Sequence, residues 1–327
     1  MADLYRVDRS YSGGYTVRPT TWEDHAIERA GVAAGTIVGN VVGASIAGLR
    51  NAVRNAQDRR IQGSIDTMEE VAEAGDFARL LILSQNFVQQ YPQMPHGHAS
   101  LAAAFMENGR YDEAIRETER AEQLGLDKWE AQMMRADVYE RKGSIGNAIA
   151  EYSALIGDRE AGDLALFARA RMLLEIGDLD QALADINQSI ALVPQYFAYT
   201  LRGDIYRARG ELEKSVANYT LAHRLSPEFT IVLDRRAEVY EELGKTQEAQ
   251  ADREATKRAS EEAARRNQEL LDEARAFLAY YSNLPVPVKF AAKGQEIDVG
   301  RARFGPEALA KMNRLKPQLL QLLRGQQ

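Results

Sequence analysis

The chain has 327 residues, of which 45% are hydrophobic and 8% aromatic, and a formal net charge of −7. That charge argues against nucleic acid as the main partner. The absence of cysteine excludes structural disulfides and thiolate metal sites.

Residues 1–20 place Tyr5, Tyr11 and Tyr15 around Ser12, Gly13 and Gly14 with no sustained period, so an irregular arm is expected. Residues 1–25 mix charges and hold no apolar run, so no signal peptide is expected there. Thr21 then offers an N-cap with Asp24 three residues on, and one helix is expected from Trp22 to about Arg60, making residues 21–60 a unit. Inside it, Ala30 to Leu49 carries no charge. Gly31, Gly35, Gly39 and Gly43, with Ala47 extending the series, recur every four residues and form a slowly drifting groove on a helix. The pattern resembles a glycine zipper, the small-xxx-small arrangement of closely packed helices. Counting Gly48, its glycines cost about 4–5 kcal/mol of helix propensity against alanine, so something must pack against this segment.

Three readings compete. In the first, residues 30–49 contact or span a membrane, for which about 20 residues suffice. Asn40 then bonds between helices of an assembled bundle, and Arg50, Arg54, Arg59 and Arg60 place the remainder on the cytoplasmic, inner face. In the second, the segment self-associates, giving a homo-oligomer or a subunit of a larger complex. In the third, it is an internal helix packed on the first of the repeats that begin near residue 61.

Residues 61–263 carry a ladder of glycines: Gly75, Gly109, Gly143, Gly177, Gly210 and Gly244, stepping by 33 or 34 residues. Seven before each stands Met68, Ala102, Ala136, Ala170, Gly203 or Ala237, and four before stands Val71, Phe105, Tyr139, Leu173, Tyr206 or Tyr240. Five after each comes Leu80, Ala114, Ala148, Ala182, Ser215 or Ala249. Pro92, Pro194 and Pro227 close three units. Small residues let two helices of a hairpin approach, large ones fill the gap to the next hairpin, and the glycine makes the turn. These features resemble the tetratricopeptide-repeat family. The resemblance implies an all-α fold, a right-handed α-α superhelical solenoid of about six hairpins. The first unit departs from the pattern at Met68 and Leu80.

From Thr246 to Asn283 there is neither glycine nor proline, so a long helix to about Ser282 is expected, on the order of 50 Å. Its 264–283 part is expected to cap the open end of the solenoid. Residues 284–327 read as a small appendage. Val286, Val288 and Phe290 alternate, Lys293-Gly294-Gln295 can turn, and Ile297 and Val299 alternate again, which predicts a hairpin. Pro306 opens a final helix with an apolar stripe through Leu309, Met312, Leu315, Leu319 and Leu322, kinked at Pro317.

No catalytic constellation, phosphate loop or cofactor site is expected. His96 and His98 lack a third metal ligand at useful spacing. The family resemblance implies binding instead, with five positions of the first helix of each hairpin facing a ligand. In the second unit these are His96, Ala99, Ala103, Met106 and Glu107. In the third they are Glu130, Met133, Asp137, Glu140 and Arg141, and in the fourth Leu164, Phe167, Arg171, Leu174 and Glu175. In the fifth they are Phe197, Thr200, Asp204, Arg207 and Ala208, and in the sixth Ile231, Asp234, Glu238, Glu241 and Glu242. Ten acids and three bases, interleaved with apolar side chains, suit a protein partner with a basic or amphipathic segment. Family members that clamp acidic chaperone tails use Lys, Asn and Arg here; Ala103, Asp137, Arg171, Asp204 and Glu238 at the Asn positions disfavour that role. The sequence thus points to a non-enzymatic interaction scaffold, tethered or oligomerised through the zipper. The alternative is a membrane-inserting, pore-type effector regulated by its repeats. The basic stretch 50–61 is itself a candidate occupant of the groove.

Overall fold

Each glycine of the ladder takes a φ between 71° and 80°, the left-handed region that a Cβ disfavours. The helix before it ends in the same way each time. At Gly109, the glycine N–H donates to Met106 O (3.0 Å) and the Arg110 N–H to Phe105 O (2.9 Å), the paired bonds of a Schellman stop. The Arg110 guanidinium then lies 4.5 Å above the Phe105 ring. The same two bonds recur at Gly143, where Ser144 N–H reaches Tyr139 O, and at Gly177, where Asp178 N–H reaches Leu173 O. The large residue four before each glycine is therefore the residue whose carbonyl receives the closing bond.

The computed structural model describes residues 7–9, 15–17, 41–53, 59–158, 161–283, 290–293, 296–298 and 306–324. Within them, β1 (Val7–Arg9) and β2 (Tyr15–Val17) pair antiparallel, Val7 opposite Val17, a ladder not expected in the arm. Helix α1 is Val41–Val53. Six hairpins come next: α2 (Arg59–Glu73) with α3 (Phe77–Gln90), α4 (Pro95–Glu107) with α5 (Tyr111–Gln123), and α6 (Lys128–Arg141) with α7 (Ile145–Leu155). Then come α8 (Gly162–Glu175) with α9 (Leu179–Leu192), α10 (Tyr196–Ala208) with α11 (Leu212–Leu225), and α12 (Ile231–Glu242) with the long α13 (Thr246–Ser282). Each helix packs on its neighbours in sequence, so the hairpins form the expected solenoid and not one closed globule.

The small residues sit where the two helices of a hairpin meet. Ala102, Ala136, Ala170 and Ala237 are fully buried, as are Ala114, Ala148 and Ala182 across from them. Met68 and Leu80 of the first unit are equally buried. In the fifth unit the small residue is Gly203, and the Tyr219 ring fills the space its side chain would take.

A second repeat feature was not anticipated. Arg135, Arg169, Arg202 and Arg236 recur with the glycine step, and each bonds to a residue 16 positions on in the partner helix. Arg169 grips Asp185 with two bonds of 2.7 and 2.8 Å, and Arg236 grips Asp252 likewise at 2.8 and 2.7 Å. The free ends of these arginines reach back to the preceding hairpin, at Glu122, Ser153, Asn187 and Thr220. Each arginine thus ties three helices together. In the second unit the position holds Leu101, and Glu117 is taken instead by His98 Nδ1 at 2.7 Å.

Three expectations about the ends are corrected. The helix predicted over residues 22–60 does not run through: α1 ends at Val53 and α2 begins at Arg59. Arg50 of α1 meets Asp66 and Glu69 of α2, a contact that one continuous helix would hold more than 20 Å apart at about 1.5 Å per residue. The carboxy-terminal part of α13 does not cap the solenoid. Residues 257–269 are mostly solvent-exposed, and beyond them Ala274, Phe277 and Leu278 form a separate core with Met312, Leu315 and Leu319. The appendage consists of strands β3 (Ala291–Lys293) and β4 (Glu296–Asp298) and helices α14 (Pro306–Arg314) and α15 (Lys316–Arg324). Pro317 stands in the first turn of α15, so the chain breaks into two helices where a kink was expected.

Candidate binding groove

Ion pairs that span about one repeat join the first helices α4 to α6, α6 to α8, and α10 to α12, while α8 meets α10 through the Phe167 and Phe197 rings. Arg141 donates two bonds to Glu107 (2.9 and 2.7 Å). Arg171 does the same to Glu140 (2.7 and 2.5 Å). Arg207 takes both Glu238 and Glu242, and Arg235 takes Asp204. Planar guanidinium forks on carboxylates fix both distance and orientation. At these three steps the pairs therefore set the spacing of the hairpins as well as the charge of the surface.

This changes the electrostatics expected from sequence. Of the carboxylates assigned to the groove, Glu107, Glu140, Asp204, Glu238 and Glu242 are matched by arginines on neighbouring first helices. Glu241 is met by Arg253 of α13. Asp137 is buried, and its carboxyl accepts a bond from the Tyr152 hydroxyl at 3.0 Å. Burial, then the negative charge of Glu140, push its pKa up to about 7, against the Tyr152 bond and the nearby Arg171 and Arg141. Asp204 repeats the arrangement, with the Tyr219 hydroxyl at 2.7 Å. Glu175 is exposed, and toward the carboxy-terminal end Glu238 and Glu242 are exposed and share the single Arg207, which leaves one net negative charge there; Glu130 and Asp234 are half-buried.

The apolar candidates divide similarly. Met106, Met133 and Phe197 are buried and serve packing between hairpins. Phe167 and Leu174 are half-buried, Phe167 standing edge-on to Phe197 with ring centroids 4.9 Å apart. Ile231 is exposed at the start of α12.

In the second unit the expected ligand face is covered from within the chain. Val42, Ile46 and Leu49 of α1 join Ala99, Ala103 and Met106 of α4 and Ile65 and Met68 of α2 in one apolar cluster. A Cβ on Gly48 would stand 3.1 Å from His96 Cδ2. Burial lowers the His96 pKa, opposed by Asp127. Arg50 donates to Glu69 at 2.7 and 2.5 Å and to Asp66 at 2.8 Å. Glu69 was not among the expected site residues. Its signal was present: it stands six before Gly75, as Asp137, Asp204 and Glu238 stand six before their own glycines.

Of the zipper residues, Gly31, Gly35, Gly39 and Asn40 lie outside the described residues. Gly43 is exposed and Ala47 half-buried, so they lie off the α1 face that meets the repeats. No described helix is long and apolar enough to cross a membrane. Among the described residues no cluster of potential ligands could hold a metal ion. His98 is engaged by Glu117 and by Pro92 O at 3.0 Å, and the Glu117 bond raises its pKa.

The family model described as Tetratricopeptide repeat matches residues 99–165 and 167–228. No curated protein matches the chain. Among solved structures, that of MamA is 20% identical and covers 50% of this chain and 97% of its own, with a TM-score of 0.45. YrrB, a TPR protein with an unusual peptide-binding site, is 16% identical over 57% of this chain and 95% of its own, with a TM-score of 0.40. TTC0263, a thermophilic TPR protein of Thermus thermophilus, is 17% identical over 54% and 97%, with a TM-score of 0.44. Residues 99–165 and 167–228 are thus similar to tetratricopeptide repeats, and they coincide with hairpins of the solenoid described above.

Proposed function

We propose that the chain is a non-enzymatic interaction scaffold whose first-helix faces capture a basic or amphipathic segment of a protein partner. The observation that carries this reading is α1. A helix of this chain already lies on the first two units, held by three apolar side chains and by an arginine clamped between two carboxylates. The open part of the same surface runs along α6, α8, α10 and α12. There Phe167, Leu174 and Ile231 supply apolar contacts, Glu175 and Asp234 supply carboxylates, and Glu238 and Glu242, which share one arginine, supply a net negative charge beside the Glu241–Arg253 pair. Met106, Glu107, Glu130, Met133, Asp137, Glu140, Arg171, Phe197, Asp204 and Arg207 frame that surface from below or bridge it.

Tethering is assigned to the small-residue series. Exposure of Gly43 leaves room for close helix approach on the side of α1 facing away from the repeats, which favours self-association or assembly into a larger complex. The test is fluorescence polarisation of labelled basic amphipathic peptides against the full chain. Binding that weakens with salt and falls at least tenfold in Glu238→Lys with Glu241→Lys, but not in Glu213→Lys on α11, supports the groove. Equal loss in both variants, or no loss in either, refutes it.

A further inference from the structure

The amino-terminal end of the groove has an occupant that is part of the same chain. Val42, Ile46 and Leu49 keep an i, i+4, i+7 spacing, so one face of α1 carries all three. None is more than 2% exposed. Arg50 comes directly after them and reaches two carboxylates on α2, one of them Glu69 at the repeat position that holds Asp137 and Asp204 further along. Gly48 lets the α1 backbone approach His96. Apolar anchors plus a cation read by carboxylates is the chemistry proposed for a partner segment.

The attachment is also weakly self-supporting. A helix of 13 residues is marginal in water on its own, and three apolar anchors must offset the ordering of its whole backbone. Only residues 54–58 separate it from α2, so its local concentration at the site is on the order of millimolar.

We infer that the α2–α4 surface is a helix-binding site, and that α1 is its built-in competitor. The partner it fits is an amphipathic helix with apolar residues at i, i+4 and i+7, a small residue just before the third, and an arginine just after it. This inference rests on the groove reading and specifies the ligand for one end of it. A trans helix gains access by displacing α1, so the apparent affinity of the intact chain is lowered by the fraction of time α1 is seated.

The test uses a labelled synthetic peptide with the sequence of residues 41–53 and full-length protein. In Ile46→Asp with Leu49→Asp, α1 is unseated, and the peptide is expected to bind roughly 10–100-fold more tightly than to the unaltered chain. Adding Glu69→Arg to that protein should abolish binding, and a peptide carrying Arg50→Glu should restore it. Equal affinity for unaltered and unseated chains overturns the inference, as does insensitivity to Glu69→Arg. Should the double variant lose its helical circular dichroism, Arg50→Ala replaces it; a gain of about threefold or more supports displacement, and no gain overturns it. Glu238→Lys separates the two readings. Peptide binding sensitive to Glu69 and not to Glu238 supports this site, and binding sensitive only to Glu238 refutes it while leaving the wider groove standing.

Discussion

Replacing Asp137 with asparagine removes a charge that folding drives out of water. The side chain is buried beside Tyr152, and its pKa rises from the ordinary 3.8 to about 7. Below pH 3.8 the carboxyl is protonated in both folded and unfolded chains and costs nothing. Between 3.8 and about 7 the unfolded chain releases the proton while the folded chain keeps it, so stability falls as pH rises. Above about 7 the loss is complete. Three pH units at about 1.4 kcal/mol each give a total near 4 kcal/mol, of which roughly 2–3 kcal/mol falls between pH 8 and pH 5. Asparagine keeps an acceptor for the Tyr152 hydroxyl and does not titrate. The assay is urea unfolding of both proteins at pH 5, 6, 7 and 8. With a slope of about 2 kcal/mol per molar urea, the midpoint of the unaltered chain, measured against Asp137→Asn, should rise by about 1 M as pH falls from 8 to 5. A midpoint difference that stays constant across that range would refute the reasoning and make Asp137 an ordinary ionised carboxylate.

Arg169→Ala leaves Asp185, whose side chain is 3% exposed, with only the Gln181 amide and no opposing charge, and should cost about 3 kcal/mol; Arg169→Leu with Asp185→Leu should recover most of that in denaturant melts. Gly203→Ala sets a Cβ 2.6 Å from the Tyr219 ring, and a strain of about 1–3 kcal/mol outweighs the ~1 kcal/mol gained in helix propensity, lowering Tm. Gly63→Ala, with nothing within 4 Å of the new atom, should instead raise it, and the opposite order of the two melts contradicts the packing described. In an imidazole NMR titration, His98 should titrate above 6.5 because of Glu117, and His96 and His223 below it because of burial. The His98–Glu117 pair then stabilises the fold fully below 6.5 and is lost as pH rises through the elevated value.

Much of the solenoid was legible because its determinants are backbone and volume. A glycine at each positive-φ stop and an alanine at each close contact leave a fixed period in the chain. Arg135, Arg169, Arg202 and Arg236 share that period, yet charges on helices read as solvated faces, so their pairing with residues 16 positions on is not evident from the sequence. The groove charges were identified one by one, but their mutual cancellation depends on which carboxylate each guanidinium reaches across a repeat, a distance that spacing alone does not supply. The end of α1 was missed for a different reason. Residues 49–60 contain no glycine or proline to mark a boundary, and what sets α1 against α2 is the contact of Arg50 with Asp66 and Glu69, a tertiary pairing that local spacing does not display. In the appendage Ala291–Lys293 pairs with Glu296–Asp298 as the alternation suggests, and the rest of the 286–299 pattern lies largely outside the described residues.

Hydrogen exchange of the full chain with and without a bound basic amphipathic peptide tests the central claim, that partners lie along the first helices of the hairpins. New protection concentrated in residues 128–141, 162–175, 196–208 and 231–242 is the predicted result. Protection confined to 145–155, 179–192 and 212–225, or to the appendage, contradicts it.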